Sequence, residues 1–127
     1  MNADRSVLDG ISRAAIGCAM TVSNTLGCGF LEKIYENALA YELRQAGLAV
    51  EQQASVRVRY RGIAVGHYMT DLLIERAVVV ELKAVRALDN IHRAQCINYL
   101  KASELRLCLL LNFGRPRLEI QRLVWDF

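Results

Sequence analysis

Two charged residues interrupt the most apolar segment of this sequence. In the run VVVELK at residues 78–83, the two-residue period of a β-strand puts Glu81 and Lys83 on one face beside Val79. The other three side chains of the run are apolar and share the opposite face. A charge in so apolar a strand needs an opposite charge, a hydrogen bond or a bound ion to compensate it. This segment is therefore the first candidate for a functional site.

An acidic residue of the preceding segment is predicted to join this pair. Residues 64–74 are typical of a strand, and Glu75-Arg76-Ala77 separates them from the apolar run, which predicts a β-hairpin. A three-residue loop centred on Arg76 puts Asp71 directly opposite Glu81, on the same face. Adjacent carboxylates raise each other's pKa unless a cation lies between them, and Lys83 adds positive charge nearby. This is the composition of a site for a hard cation such as magnesium or manganese.

Two alternatives stay open for this hairpin. A two-residue loop would place Asp71 opposite Val80 and turn the two carboxylates to opposite faces of the sheet. Glu81 and Lys83 could also pair along a solvated face with no further role. The sequence alone does not separate these arrangements.

Further candidates lie on a predicted helix. At 100° per residue, Glu32 projects between Leu39 and Leu43, which is an unusual position for a solvated residue. Glu36 lies at the polar margin of the same face. Glu32 is either a functional carboxylate or one stabilised by the helix amino terminus, an effect worth about 0.3–1 kcal/mol. Tyr35 is expected either in the core or with its hydroxyl on a neighbouring carboxylate.

Eight predicted elements position these residues. Apolar residues at three- and four-residue steps predict helices over about 6–26, 31–46 and 90–102, and Gly47 is suited to a left-handed helix end. Alternating or continuous apolar runs predict strands over about 56–60, 64–74, 78–83, 105–113 and 118–125. The order ααβββαββ predicts an α/β fold, a mixed β-sheet flanked by helices, because a helix after Lys83 can link two parallel strands.

Composition sets broad limits on the function. The 127 residues suit one domain, and 54% hydrophobic residues exclude a disordered or fibrous chain. A net charge of +3 permits a nucleic-acid partner without demanding one. The absence of a signal-peptide pattern and of a long apolar run predicts a cytoplasmic protein with no membrane partner. The four cysteines form no C-x-x-C pair and are expected to be reduced and mostly buried.

Several motifs together resemble a known family. GFLEKIY at residues 29–35 resembles the pattern of the GxxExxY proteins, and Asp71 followed by ELK at 81–83 resembles the catalytic core of the PD-(D/E)XK nuclease superfamily. RAQCINYL at 93–100 resembles the family's Gln and Tyr helix, and LNFG at 111–114 its late strand. The resemblance covers nearly the whole chain. One departure is Thr70, which stands where the superfamily's name has proline.

The resemblance implies a fold and a chemistry. It implies that residues 1–127 form one PD-(D/E)XK nuclease-like domain with a restriction-endonuclease-like core, hydrolysing phosphodiester bonds of DNA or RNA. Asp71 and Glu81 would bind Mg²⁺ or Mn²⁺, and either Glu32 or Glu36 would complete the acidic shell. Oxygen ligands suit these ions, which activate water and neutralise charge on a phosphodiester.

The remaining roles follow from the same resemblance. Lys83 would hold the attacking water and the phosphate, where an ammonium stabilises the transition state. Gln95 would contact the site from the third helix as a further catalytic residue. Tyr35, Glu36 and Tyr99 are expected to support the site.

Partners are less defined by the sequence. Arg57, Arg59 and Arg61 alternate with apolar residues and could follow a nucleic-acid backbone as one basic face, or simply keep an outer face soluble. A catalytically silent nucleic-acid or protein binding module with this fold is the alternative to a nuclease. A homodimer or a protein partner that supplies specificity is a further expectation, since the chain offers no separate recognition domain.

Overall fold

The computed structural model describes residues 4–125, and its elements follow the predicted order. They are α1 (Arg5–Leu26), α2 (Glu32–Gln45), β1 (Val50–Tyr60), β2 (Ile63–Ile74), β3 (Val78–Lys83), α3 (Asn90–Ser103), β4 (Leu107–Asn112) and β5 (Glu119–Val124). The predicted α/β class and the order ααβββαββ are confirmed.

The five strands form one mixed sheet in the order β1-β2-β3-β4-β5. Antiparallel pairing joins β1 to β2, β2 to β3 and β4 to β5, whereas β3 and β4 are parallel. α3 lies in the connection between β3 and β4, as parallel neighbours require a long crossover. The predicted crossover helix is therefore present.

Helices cover both faces of the sheet. α1 and α2 pack on one face, where they meet Val78, Val80 and Leu82 of β3. α3 packs on the other face, against Val79 and its neighbours. β4 is buried along its whole length because helices cover both of its faces. This explains why its sequence is a nearly continuous apolar run. The predicted division of β3 into two faces is confirmed.

The β2–β3 turn decides the register of the site. Leu72 pairs with Val80, so the loop has three residues and is centred on Arg76, as predicted. Glu75 and Arg76 both adopt a positive φ, of 53° and 54°, which closes the turn. The two-residue alternative is therefore wrong. The β2–β3 pairing ends at Leu72, while β1 and β2 continue together as a hairpin beyond the rest of the sheet.

β1 differs most from its prediction. It begins at Val50 rather than near residue 56, because the polar run at residues 51–53 hides the strand from a test based on apolar alternation. Arg61 does not share the strand face expected for it. It occupies the hairpin turn with Gly62, where both residues have a positive φ, as two-residue hairpin turns need. The Arg61 guanidinium lies over the Tyr60 ring at 5.5 Å from its centroid.

The structure also tests the predicted state of the cysteines and the predicted absence of a membrane-spanning segment. All four cysteines are free, with Cys96 and Cys108 buried, Cys18 half-buried and Cys28 exposed. Two of the four thiols are therefore buried, fewer than predicted from the sequence. Among residues 4–125, no helix has both the length and the apolar character needed to cross a bilayer.

Candidate active site

Asp71 lies where the β1–β2 hairpin departs from β3. Its Oδ2 accepts a 2.8 Å hydrogen bond from the backbone N–H of Leu82, and its Oδ1 accepts one of 3.3 Å from the Gln53 amide. Gln53 interrupts the ladder with a φ of 54°, a left-handed conformation that distorts β1 at this level. Burial raises the pKa of Asp71, the two hydrogen bonds lower it, and Glu36 and Glu32 raise it again.

Glu81 is the neighbouring carboxylate. Burial, followed by the charge of Asp71, raises its pKa to about 7. A hydrogen bond from Thr70, the charge of Lys83 and the backbone of Asp71 act in the opposite direction. The effect of the Asp71 charge on Glu81 agrees with the β2–β3 register, which places the two carboxylates side by side as predicted. Such a pair favours a cation between or beside its members.

A small cavity opens over Glu81 on the α3 side of the sheet. It has a volume of about 200 Å³, and its walls include Lys83, Gln95 and Tyr68. Lys83 and Glu81 project to the same face of β3, while Gln95 reaches the cavity from α3. Three of the predicted catalytic residues are thus assembled around one space.

A second cavity, of about 250 Å³, opens over Asp71 on the α2 side. Glu32 and Glu36 line it together with Asp71. Glu32 is exposed at the first position of α2, and its Oε2 accepts a 3.3 Å hydrogen bond from the backbone N–H of Ala84. The structure therefore brings Glu32 to Asp71, and ties it to the segment directly after Lys83.

The burial of the two glutamates of α2 is the reverse of the burial predicted from the sequence. Glu36, predicted at the polar margin, is only 3% exposed, whereas Glu32 is open to solvent. The helical angle of the two residues is similar, so depth along the helix axis decides their burial. Glu36 lies one turn further in and is covered by β1, whose Gln52 (2.8 Å) and Gln53 (2.8 Å) donate hydrogen bonds to it. Lys33 of α2 donates a third, at 3.0 Å.

The donor chemistry fits a magnesium or manganese ion. Within residues 4–125, no three Asp, Glu, His or Cys side chains gather in a group that could hold a metal. Mg²⁺ nevertheless commonly uses one or two carboxylates, with waters and substrate phosphate completing its shell. Asp71 and Glu81 form such a pair. Glu32 is held by Ala84 in the adjoining cavity, so a preassembled set of three carboxylates is not seen.

Tyr35 supports the site through the backbone and not through a carboxylate. Its hydroxyl donates to the Gly27 carbonyl at 2.6 Å and accepts from the Phe30 N–H at 3.2 Å. Its ring is fully buried and stacks on Phe113 with centroids 4.8 Å apart. These contacts hold the loop before α2, which carries Glu32 at its end. Of the two predicted environments, the core is the one observed.

Tyr99 has a similar role on the opposite face. It is 2% exposed, and its hydroxyl donates to the Ala54 carbonyl of β1 at 3.2 Å. Burial, then the charges of Glu51 and Glu81, raise its pKa to about 12. Tyr99 therefore fastens α3, the helix that carries Gln95, to the sheet, and the 6.3 Å contact of its ring with Tyr68 supports the wall of the Glu81 cavity.

Sequence reasoning missed a buried asparagine that positions the chain after Lys83. Asn112 is 0% exposed, and its amide donates to the Val85 carbonyl at 2.9 Å while its oxygen accepts from the Val85 N–H at 3.0 Å. The same oxygen accepts from Gly114, and Glu119 receives the second amide hydrogen. The signal was present, because an amide at the end of the apolar strand LCLLLN needs buried partners.

The arginines predicted to bind nucleic acid lie beside the site. A register shift between Val58 and Arg59 breaks the simple alternation of β1. Arg57 and Arg59 line a groove between β1 and α3, whereas Arg61 lies in the hairpin turn described above. The basic face is thus formed by two of the three residues proposed for it.

The fold and this site define the class of the protein. A mixed sheet covered on both faces carries an acidic pair beside a lysine, in the arrangement of a restriction-endonuclease-like domain. A family model of the PD-(D/E)XK nuclease superfamily matches residues 9–123. The chain belongs to the PD-(D/E)XK nuclease superfamily. The narrower resemblance of residues 29–35 to the GxxExxY proteins stays a prediction.

Solved structures agree with this fold. A crystal structure of SSO0001 superposes with a TM-score of 0.57 at 19% identity, covering 75% of this chain and 50% of that one. An alkaline exonuclease (LHK-Exo) from Laribacter hongkongensis has a TM-score of 0.55 at 11% identity, covering 99% of this chain and 73% of the exonuclease. The present chain therefore spans about half the length of the first. No curated protein sequence gives a significant match.

Proposed function

We propose that this chain is a nuclease domain that hydrolyses phosphodiester bonds of DNA or RNA with a divalent metal ion, magnesium by preference. One observation carries the proposal: Asp71 is close enough to raise the pKa of Glu81, and Lys83 lines the cavity over Glu81. Membership of a nuclease superfamily supports the choice of a phosphodiester as substrate. The proposal treats the whole chain as one domain.

The residues of the site have distinct roles in this reaction. Asp71 and Glu81 would hold the metal, with Glu32 reaching it across the Asp71 cavity. A bound magnesium ion supplies a Lewis acid that neutralises charge on the phosphodiester. The Lys83 ammonium adds a positive charge where negative charge develops on the phosphate, and it stabilises the transition state more than the ground state. Gln95, whose side-chain amide can both donate and accept hydrogen bonds, would orient the phosphate or the water.

Substrate cleavage tests the proposal directly. Purified protein is incubated with Mg²⁺ or Mn²⁺ and with single-stranded, duplex and branched DNA and RNA, and products are resolved on denaturing gels. We expect cleavage of at least one substrate, loss of cleavage in Asp71→Asn, and a fall of about 100-fold or more in Lys83→Met. Glu42→Gln, on the same helix as Glu36 but outside both cavities, is the control and should cleave as the wild type does.

One outcome would favour a binding module over an enzyme. If all substrates stay intact with either metal, while the wild type and Lys83→Met bind nucleic acid equally well in chelator, the proposal of a nuclease fails. Cleavage by Asp71→Asn at the wild-type rate would also contradict it.

Two finer expectations belong to the same proposal. A homodimer or a protein partner would contribute to substrate specificity, and light scattering that gives a mass near 14.3 kDa would contradict the dimer. We also propose a cytoplasmic location, and fractionation of cells that express the tagged protein checks it.

A further inference from the structure

A groove of about 850 Å³ lies between β1 and α3, next to the proposed active site. Arg57 and Arg59 line it from β1, Lys101 from α3, and Trp125 closes it at the end of β5. Among the lining residues within 4–125, Glu104 is the one acidic residue, so cations outnumber anions there by three to one. A groove with this balance is complementary to a polyanion.

The groove adjoins the Glu81 cavity, and the two spaces share a wall residue, Tyr68. Tyr68 lines both spaces: it lies beside Arg57 and Arg59 in the groove and beside Glu81 and Lys83 in the cavity. Burial and the charge of Glu81 raise the pKa of the Tyr68 hydroxyl, which agrees with this proximity. A chain bound along the groove would therefore reach the catalytic residues at its Tyr68 end.

The cations of the groove are available to a ligand. Over residues 4–125, none of the ion pairs involves Arg57, Arg59 or Lys101. All three residues are exposed. A basic side chain without an internal counterion can neutralise a phosphate and release the counterions of the nucleic acid.

Two aromatic rings, on Tyr68 and Trp125, add a second recognition element to the groove. An aromatic ring stacks on an unpaired base whatever the base is, whereas the bases of a duplex are already stacked on each other. Positive charge together with aromatic rings is therefore typical of binding to single strands.

We propose that this groove holds a single strand of nucleic acid, with its phosphates on Arg57, Arg59 and Lys101 and a base on Trp125, and delivers that strand past Tyr68 to Glu81 and Lys83. This inference rests on the proposed nuclease function, and it names the form of the substrate. A strand end or an unpaired segment is the form that enters the groove.

Binding of a short oligothymidylate in chelator tests the groove without turnover. Trp125 is the only tryptophan of the chain, so its fluorescence reports directly on stacking. We expect the oligothymidylate to quench this emission, and an unlabelled duplex of equal length to compete more weakly. Absence of quenching, or equal competition by the duplex, overturns the proposal.

Charge variants test the phosphate contacts by anisotropy of a fluorescein-labelled oligothymidylate. Arg57→Ala and Lys101→Ala should each weaken binding, and each should reduce the slope of log K against log salt by about 0.7. Arg13→Ala removes an exposed arginine of α1, on the opposite face of the sheet, and is the matched control. If Arg57→Ala and Arg13→Ala bind with the same affinity and slope, the groove is not the binding track.

A further variant isolates the stacking contact. Trp125→Leu keeps apolar volume against the α3 core and removes the indole, so it should fold as the wild type does, and it should lose at least about 5-fold in affinity. Unchanged affinity would contradict stacking on Trp125. Cleavage by the wild type with unaffected binding in the groove variants would refute this inference alone, whereas groove-dependent binding without any cleavage would refute the nuclease proposal alone.

Discussion

The carboxylate of Asp71 on β2 accepts a 2.8 Å hydrogen bond from the backbone N–H of Leu82 on β3. Leu82 lies between Glu81 and Lys83, so this bond fastens the β2 carboxylate to the segment that carries the other charged residues. It forms one residue beyond the last β2–β3 pair, where the hairpin bends away from β3. A side-chain hydrogen bond thus continues the connection between β2 and β3 beyond their last backbone pair, and it fixes the position of Asp71 relative to Glu81 and Lys83.

The first prediction concerns the metal. Calorimetric titration of the wild type with Mn²⁺ should show binding, and Asp71→Asn should weaken it by at least about 10-fold, because an amide replaces a ligand and removes a charge from the pair. Glu42→Gln removes one carboxylate from α2 outside both cavities and should bind the metal as the wild type does. Equal affinities for all three proteins would contradict the assignment of Asp71 as a ligand.

The two glutamates of α2 should respond differently to substitution. Glu36→Ala removes the acceptor of three hydrogen bonds, from the amides of Gln52 and Gln53 and from the Lys33 ammonium, and we expect a loss of about 1–3 kcal/mol in the free energy of unfolding. Glu32→Ala removes one exposed carboxylate and should cost less than about 1 kcal/mol, yet reduce metal affinity or cleavage. Urea denaturation measures the first difference. Similar stability losses for both variants would refute the division into a structural and a functional glutamate.

Much of the fold and the acidic pair could be predicted because local rules determine them. The register of the β2–β3 hairpin depends on one three-residue turn, and this turn brings Asp71 to Glu81. The alternation in β3 then fixes which face Lys83 occupies. Both inferences use only neighbouring residues and the period of a strand.

The parts that could not be predicted depend on contacts distant in the chain. The burial of Glu36 requires the position of β1, whose residues 51–53 give no apolar signal. Asn112, at the end of β4, acts on Val85, 27 residues away and on the other side of α3 in the sequence. The groove joins β1, α3 and the end of β5, so no single segment reveals it. Contacts between residues so far apart in the sequence depend on the topology of the fold, and the hydrophobic periodicity of single segments does not predict them.

A pH dependence should follow from Glu81 in the metal-free protein. Its folded-state pKa of about 7 lies above its usual value of 4.5, so the folded state binds the proton more tightly than the unfolded state. Stability is then lost as the pH rises through this interval and stays low above pH 7. Glu81→Gln, which remains neutral, should exceed the wild type by up to about 3 kcal/mol at pH 8 in chelator and by little at pH 4.

Denaturation curves of both proteins at the two pH values provide the measurement. Because other groups titrate in both proteins, only the difference between variant and wild type reports on Glu81. A difference that is the same at pH 4 and pH 8 would contradict the raised pKa.

The loop after Lys83 depends on the absence of a side chain at Gly114. A Cβ built on Gly114 would lie 2.3 Å from the backbone oxygen of Val85 and 2.4 Å from its nitrogen, so the backbone would have to move. Gly114→Ala should therefore destabilise the protein by at least about 2 kcal/mol. Gly10→Ala, in the open interior of α1, meets nothing within 4 Å and should be neutral or stabilising by up to about 1 kcal/mol. Thermal unfolding of the two variants should give shifts of opposite sign or of clearly different size.

Tyr35→Phe should separate the hydroxyl of Tyr35 from its ring. The ring would still stack on Phe113, but the Gly27 carbonyl and the Phe30 N–H would lose their partner. We expect a loss of about 1–2 kcal/mol in the free energy of unfolding. Because the freed loop ends at Glu32, faster amide hydrogen exchange should be confined to residues 27–32. Exchange that accelerates equally throughout the chain, or not at all, would show that the hydroxyl does not hold this loop.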